Sequence, residues 1–284
     1  MSLTINTNVN SLYAQTAIAN NNVNQSKAMA ELSTGLKINQ ASDDAAGLAV
    51  SQSMTQQING MGQAIANAND GINMLQTADS AMSTQQQMLQ TMFTLATQAA
   101  NGTYSSTQRT YMNNEFESLA KQITNVAKQT TWNGMSLLTG TTAASGGIGT
   151  VSAGTVQFQM GVGAGQTINV HIPAITLSGL TVSASNINTV SAASSAMTAV
   201  TRGLEILNST RSTVGASVNQ LTYAAQDLTS VQSNETTSRA SITDTNYAQA
   251  STNLSRAQII AQAATAMLAQ ANQQSQQVLT LLKG

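Results

Sequence analysis

From Met54 onward, hydrophobic residues recur at alternating spacings of four and three: Met54, Ile58, Met61, Ile65, Ala68, Ile72, Leu75, Asp79, Met82, Gln86, Leu89, Phe93 and Ala96. Eleven of these thirteen positions are apolar, the pattern of a long helix that turns one stripe toward a partner. A helix drifts by about 20° per heptad against a 3.5-residue repeat. That drift allows the stripe to shift late by one position, to Met92, Leu95 and Ala99. With one proline in 284 residues, almost nothing interrupts long helices. Ser42-Asp43-Asp44 reads as the start of this helix, with a capping hydroxyl and carboxylates at the positive end of the dipole.

A second stripe, Val200, Leu204, Leu207, Arg211, Val214, Val218, Leu221, Ala225 and Leu228, repeats the spacing. Between the two, residues 106–128 read as a shorter helix that ends at the turn signal Trp132-Asn133-Gly134. These segments are expected to form an antiparallel bundle. Its core comprises Ile58, Met61, Ile65, Ile72, Leu75 and Leu89 from the first stripe and Leu204, Leu207, Val214, Val218 and Leu221 from the second. Residues 139–190 differ: 155–158 and 167–172 alternate as short strands do, separated by Gly161-Val162-Gly163-Ala164-Gly165. The fold class is mainly α, with a small β-hairpin insert.

The two ends carry weaker stripes. The C-terminal one is Ala250, Leu254, Ala257, Ala261, Ala264, Leu268, Ala271, Ser275, Val278 and Leu282; the N-terminal one is Ile5, Val9, Leu12, Thr16, Ala19, Val23, Ser26 and Ala30. Ordering each residue costs about 1–2 kcal/mol of backbone entropy, whereas each buried methylene gives back about 0.8 kcal/mol. Five of the ten C-terminal positions are alanine, so one such helix pair does not cover the cost alone. The ends are expected to be disordered in the monomer and helical among neighbours. Ile5, Val9, Leu12, Val23, Leu254, Ala257, Ala261, Ala264, Leu268, Ala271, Val278 and Leu282 are the expected inter-subunit packing residues.

Composition removes most other functions. Ten basic residues and a net charge of −1 give no electrostatic footprint for nucleic acid. No cysteine and a single histidine, His171, exclude thiolate sites and an ordinary zinc centre. Aromatics make up 3% of the chain, too little for an ordinary compact core, and the 13 methionines read as adaptable core filler. Gly60, Gly62 and Gly71 lie inside a helical stripe, form no phosphate loop and read as aids to tight helix packing. No catalytic, cofactor or metal residues are expected. No stretch is apolar enough for a membrane span, and the N-terminus lacks the pattern of a cleavable signal peptide.

Ile5-Asn6-Thr7-Asn8, Leu32-Ser33-Thr34-Gly35-Leu36-Lys37-Ile38-Asn39, Asp43-Asp44-Ala45-Ala46-Gly47 and Asn67-Ala68-Asn69-Asp70-Gly71-Ile72 closely resemble bacterial flagellin. So do Leu254-Ser255-Arg256-Ala257-Gln258-Ile259, Ala269-Gln270-Ala271-Asn272, and Phe158-Gln159-Met160-Gly161 with Gly165-Gln166-Thr167. The resemblance covers residues 1–140 and 195–284. It implies an inner domain of 1–42 with 245–284, and a second domain of 43–244 that carries the β insert. The large outer domains of longer flagellins look absent, since only 141–194 separates the matched arms. It further implies a homopolymeric extracellular filament for motility and unfolded export through the flagellar type III apparatus. The partners it implies are an export chaperone on the C-terminal helix, the filament cap and hook-associated proteins.

Flagellins recognised by the Toll-like innate receptor carry Arg-x-Arg-Glu-Leu-Ala where this chain has Thr91, Met92, Phe93, Thr94, Leu95 and Ala96. Leu95 and the partner Glu115 remain, while both arginines and the glutamate are replaced, so weak or absent receptor binding is expected. The nearest alternative is a hook–filament junction protein, which shares the two-ended layout. A soluble coiled-coil scaffold explains the stripes but not the matched ends, and an enzyme has no site to support it.

Overall fold

The computed structural model describes residues 8–140, 154–183 and 185–283, with side chains through 273. Its helices are α1 (Val9–Thr34), α2 (Ala45–Ala99), α3 (Ser106–Gln129), α4 (Val190–Thr243) and α5 (Tyr247–Lys283). Two antiparallel hairpins lie between α3 and α4: β1 (Thr131–Trp132) with β2 (Met135–Ser136), and β3 (Thr155–Gln159) with β4 (Thr167–His171). The chain divides into two compact units, Met1–Gln56 with Asn234–Gly284, and Gln57–Ser233.

Local chemistry sets the helix ends. Asn8 caps α1 by accepting from Ser11 N at 3.1 Å, and Gly35 closes it at φ +73, where its N–H reaches Glu31 O; this left-handed position favours glycine. Asp44, rather than Ser42, caps α2, accepting from Gly47 N at 2.9 Å. Asp43 turns back instead to the backbone N–H groups of Asn39 and Gln40, both at 3.2 Å. Ser105 and Gln108 form a reciprocal capping box on α3. The Asn133-Gly134 turn has φ of 48 and 78, the doubly positive geometry that suits a two-residue hairpin.

In the unit Gln57–Ser233, α2 and α4 run antiparallel. Arg211 bonds Asp79, and Gln232 donates to Ile58 O at 3.0 Å. The core joins Met74, Leu75, Met82, Leu89 and Met92 of α2, Phe116 and Ile123 of α3, and Val200, Leu207, Val214 and Leu221 of α4. Leu137, Leu138, Ile172, Ile175, Leu180 and Ile187 of the connecting segments complete it. Phe116 is the one aromatic among its largest fully buried side chains, so methionine and aliphatic residues fill the volume that aromatics usually take.

The observed seam corrects the 4–3 reading at alternate positions. From Gln57 to Ala99 the buried residues of α2 are Met61, Ala64, Ala68, Gly71, Met74, Leu75, Ala78, Met82, Gln85, Leu89, Met92, Leu95, Ala96 and Ala99. On α4 they are Ala193, Ala196, Val200, Gly203, Leu207, Thr210, Val214 and Leu221. Ile58, Ile65, Ile72, Leu204 and Val218 flank this seam half-buried. The alternate seam positions are small or polar because they receive other parts of the fold. A Cβ on Gly71 would lie 2.9 Å from the Phe158 ring of β3, and one on Gly203 would lie 3.1 Å from Leu180 O. Gln85 is fully buried and donates to Ile123 O and Ile175 O, both at 3.1 Å.

The hairpin β3–β4 pairs Thr155 with His171 through Gln159 with Thr167. It docks on α2, with Val162 over Gly60, Asn67 Nδ2 donating to Gln159 O at 3.1 Å, and Phe158 over Gly71. Gly60 and Gly71 therefore seat a hairpin, whereas Gly62 faces Gln232 of α4. His171 is exposed on β4, with Nδ1 3.2 Å from Thr155 Oγ1.

Candidate functional site

The unit formed by both ends of the chain has an unusual distribution of polarity. Helices α1 and α5 run alongside each other with Cα atoms within 8 Å. Two asparagines set an antiparallel register: Asn21 Nδ2 donates to Ala257 O at 2.7 Å, and Asn8 Nδ2 donates to Ala271 O at 3.1 Å. The covered face of α5 is Ala250, Leu254, Ala257, Ala261, Ala264, Leu268 and Ala271. Against it α1 presents Ser11, Ala14, Ile18, Asn21, Gln25 and Ala28. Small side chains permit the close approach, and the asparagines bond helix carbonyls inside the interface.

Larger apolar residues lie outside. Leu12 is 59% exposed, Val23 67%, Ile259 66% and Met267 64%, and Val9, Tyr13, Met29 and Ile260 are exposed with them. Apolar residues on the exposed side of a helix pair whose inside is mainly alanine, serine and asparagine around Ile18, Leu254 and Leu268 form a surface that gains from being covered. The expected residues thus separate into two groups. Leu254, Ala257, Ala261, Ala264, Leu268 and Ala271 pack within the chain against α1, while Val9, Leu12 and Val23 sit on the exposed face. The N-terminal 4–3 stripe is consequently not the face that α1 turns toward α5. Ile5 and the side chains of Val278 and Leu282 lie outside the described residues. Tyr13, Met29, Ile259, Ile260 and Met267 were not legible as outer residues, because they fall off the stripe that was followed.

The segment between α1 and α2 is tied back to this pair. Lys37 N donates to Thr243 O at 2.7 Å and Thr245 N to Gly35 O at 2.9 Å. Lys27 Nζ lies 3.1 Å from Asp43 Oδ1. The bond from Lys27, aided by the Asn39 and Gln40 amides, holds the Asp43 carboxyl below its ordinary pKa of 3.8.

On the surface expected to meet an innate receptor, Thr91, Thr94 and Glu115 are exposed. Leu95 is only 8% exposed, and Phe93 is half-buried against the core. Leu95, retained from the recognised motif, is therefore a core residue and not part of an exposed receptor surface.

The family description "Bacterial flagellin N-terminal helical region" matches residues 5–143, and "Bacterial flagellin C-terminal helical region" matches 185–282. The chain belongs to the bacterial flagellin family. Among curated flagellins, the flagellar filament 33 kDa core protein of Treponema phagedenis is 36% identical, over 98% of this chain and 99% of the relative. Flagellin FlaB2 of Treponema pallidum is 33% identical over the same shares. A flagellin of Halalkalibacterium halodurans is 35% identical over 92% of this chain and 93% of its own. The crystal structure of Bacillus cereus flagellin superposes with a TM-score of 0.50 at 27% identity, covering 57% of this chain and 88% of that one. A putative flagellar hook-associated protein from Vibrio parahaemolyticus shares the fold, with a TM-score of 0.59 at 14% identity over 71% of this chain and all of that one. This flagellin is a structural subunit of the bacterial flagellar filament, the extracellular polymer into which flagellins self-assemble. Among the described residues no helix is long and apolar enough to cross a membrane.

Proposed function

We propose that this flagellin polymerises through the outer faces of α1 and α5, with Val9, Leu12, Val23, Ile259 and Met267 covered by neighbouring subunits. The polarity of that helix pair carries the reading: most of its large apolar side chains are outside, and its interface is mainly small and polar around Ile18, Leu254 and Leu268. In this reading residues 1–42 with 245–284 form the inner domain of the filament, and 43–244 form a second domain around the bundle and its β insert, with no large outer domain. Ile58, Met61, Leu75, Leu207 and Leu221 hold that second domain together and leave the terminal pair to assembly. The chain has no enzymatic role. It leaves the cell unfolded through the type III apparatus, with a chaperone masking the apolar outer face of α5 beforehand. It then adds beneath the filament cap, beyond the hook-associated proteins. Thr91 and Thr94, exposed where recognised flagellins carry charges, support weak or absent binding to the Toll-like innate receptor.

Electron microscopy of purified protein after salt-induced polymerisation tests the central claim: long tubes are expected, and a hook-junction protein would form none. Deleting residues 245–284 is expected to leave a soluble monomer with a cooperatively melting bundle that forms no tubes. Normal filaments from that truncation would overturn the assignment of the assembly surface.

A further inference from the structure

With no cysteine in the chain, methionine carries all of its sulfur. Of the twelve methionines among the described residues, ten are buried or half-buried, and Met61, Met74, Met82, Met92 and Met160 lie inside the core. The two exposed ones are Met29 on α1, 55% exposed, and Met267 on α5, 64% exposed. Both belong to the unit built from the chain ends. Met267 lines an open groove with Tyr13 and Ala14, beside the exposed Leu12.

We propose that Met29 and Met267 are oxidation sites through which peroxide controls the competence of the free subunit to assemble. The proposal rests on the reading that these faces are covered in the filament. In the reaction, a lone pair on Sδ attacks one oxygen of hydrogen peroxide. An S–O bond forms, the O–O bond breaks, and the departing oxygen leaves as water after proton transfer. The sulfur loses two electrons and the peroxide gains them. The product sulfoxide is polar and chiral where the thioether was flexible and apolar. On the exposed side of α1 or α5 it leaves the single chain largely undisturbed, because more than half of each methionine already faces solvent. Between subunits it places an S=O dipole against apolar neighbours. Assembly would in turn shield both sulfurs, so oxidation acts on subunits that have not yet been added. Enzymatic reduction of methionine sulfoxide restores the thioether, so the control is reversible.

The test treats the full-length monomer with hydrogen peroxide until peptide mass spectrometry shows sulfoxide at Met29 and Met267 but not at Met61, Met74 or Met82. Salt-induced polymerisation is then measured by sedimentation. Losing the burial of one methionine weakens association by roughly tenfold or more, so the critical concentration is expected to rise at least that far while the melting temperature stays unchanged. A Met29→Leu, Met267→Leu variant, close to volume-conserving, is expected to polymerise after the same treatment as it does before. Unchanged polymerisation of the oxidised protein would overturn the proposal, as would equal loss in the double variant. So would equal oxidation rates of the two methionines in filaments and in monomers. An untreated protein that forms no filaments would instead overturn the assembly reading, which keeps the two failures apart.

Discussion

Arg211 stands where the 4–3 spacing requires an apolar residue, and so do Asp79 and Gln86. The structure brings these three exceptions together. Arg211 Nε donates to Asp79 Oδ1 at 2.7 Å, Nη2 donates to Oδ2 at 3.3 Å, and Nη1 donates to Gln86 Oε1. The side chains are 31% and 40% exposed, so the pair contributes only about 0–1 kcal/mol. The fork geometry nevertheless permits one alignment of α2 against α4. Stability comes from residues such as Leu75 and Leu221, both fully buried. Leu75→Ala or Leu221→Ala is expected to cost about 2–5 kcal/mol in denaturant unfolding, whereas Thr84→Ala, on the exposed side of α2, is expected to be nearly silent; equal effects would misplace the core. Asp43 adds a pH dependence. Its carboxyl is held below 3.8, so its contribution is fully present above that value and fades as pH falls through the lower folded pKa. A carbon-detected NMR titration of Asp43 is expected to give a midpoint under 3.8. Asp43→Asn is expected to flatten the pH response of the Asn39 and Gln40 amides in that window, and an unchanged response would assign it to another group.

At the scale of elements, the long helices, the hairpin strands and the terminal stripe on α5 were legible because each follows one period over many residues. Two features were hidden for one reason: apolar size was followed where the fold uses smallness. The pattern selected Ile65 and Ile72, but the buried seam takes Ala64 and Gly71. In α4 it selected Leu204 and Arg211, but the seam takes Gly203 and Thr210. Likewise α1 turns Ser11 and Asn21 inward rather than Leu12 and Val23. Sequence spacing cannot register what arrives from the hairpin or the connecting segments, and that is what decides which side of a helix is covered. Glycine substitutions distinguish the cases. Gly215 of α4 has nothing within 4 Å of an added Cβ, so Gly215→Ala is expected to stabilise by about 1 kcal/mol through helix propensity. Gly71→Ala gains the same propensity, but its Cβ meets the Phe158 ring at 2.9 Å and Leu221 Cδ1 at 3.1 Å. Crowding of this kind costs about 1–3 kcal/mol, so a net loss is expected. If both variants melt higher than the parent, the hairpin does not seat on Gly71.

For the whole molecule, the two compact units are built to different ends. The one centred on α2, α3 and α4 encloses a continuous apolar core, while α1 and α5 bury alanine and polar side chains and leave Leu12, Val23 and Ile259 outside. The terminal pair is therefore the element expected to open first in free subunits. Hydrogen exchange is expected to show the amides of α1 unprotected in monomers and protected in filaments; protection in both would contradict that ordering. The bundle surface bears on what else meets the protein. Arginine offers bidentate, charge-assisted bonds that threonine cannot replace, and interface arginines often carry about 2 kcal/mol or more of binding energy. Thr91 and Thr94 are exposed where recognised flagellins carry charge, and Leu95 is buried, which leaves Glu115 as the retained group still at the surface. Monomeric protein is expected to activate receptor-expressing reporter cells more than about tenfold less than a recognised flagellin, since each 1.4 kcal/mol lost is a factor of ten. Phe93→Arg would confuse the test, because Phe93 packs on the core and its loss would loosen the bundle. Thr91→Arg avoids that difficulty: Thr91 bonds only its own helix, at Gln87 O, and an arginine there projects into solvent. It is expected to raise potency without lowering the melting temperature. Strong activation by the unmodified protein, or no gain from Thr91→Arg, would place the receptor contact on a different face of the bundle.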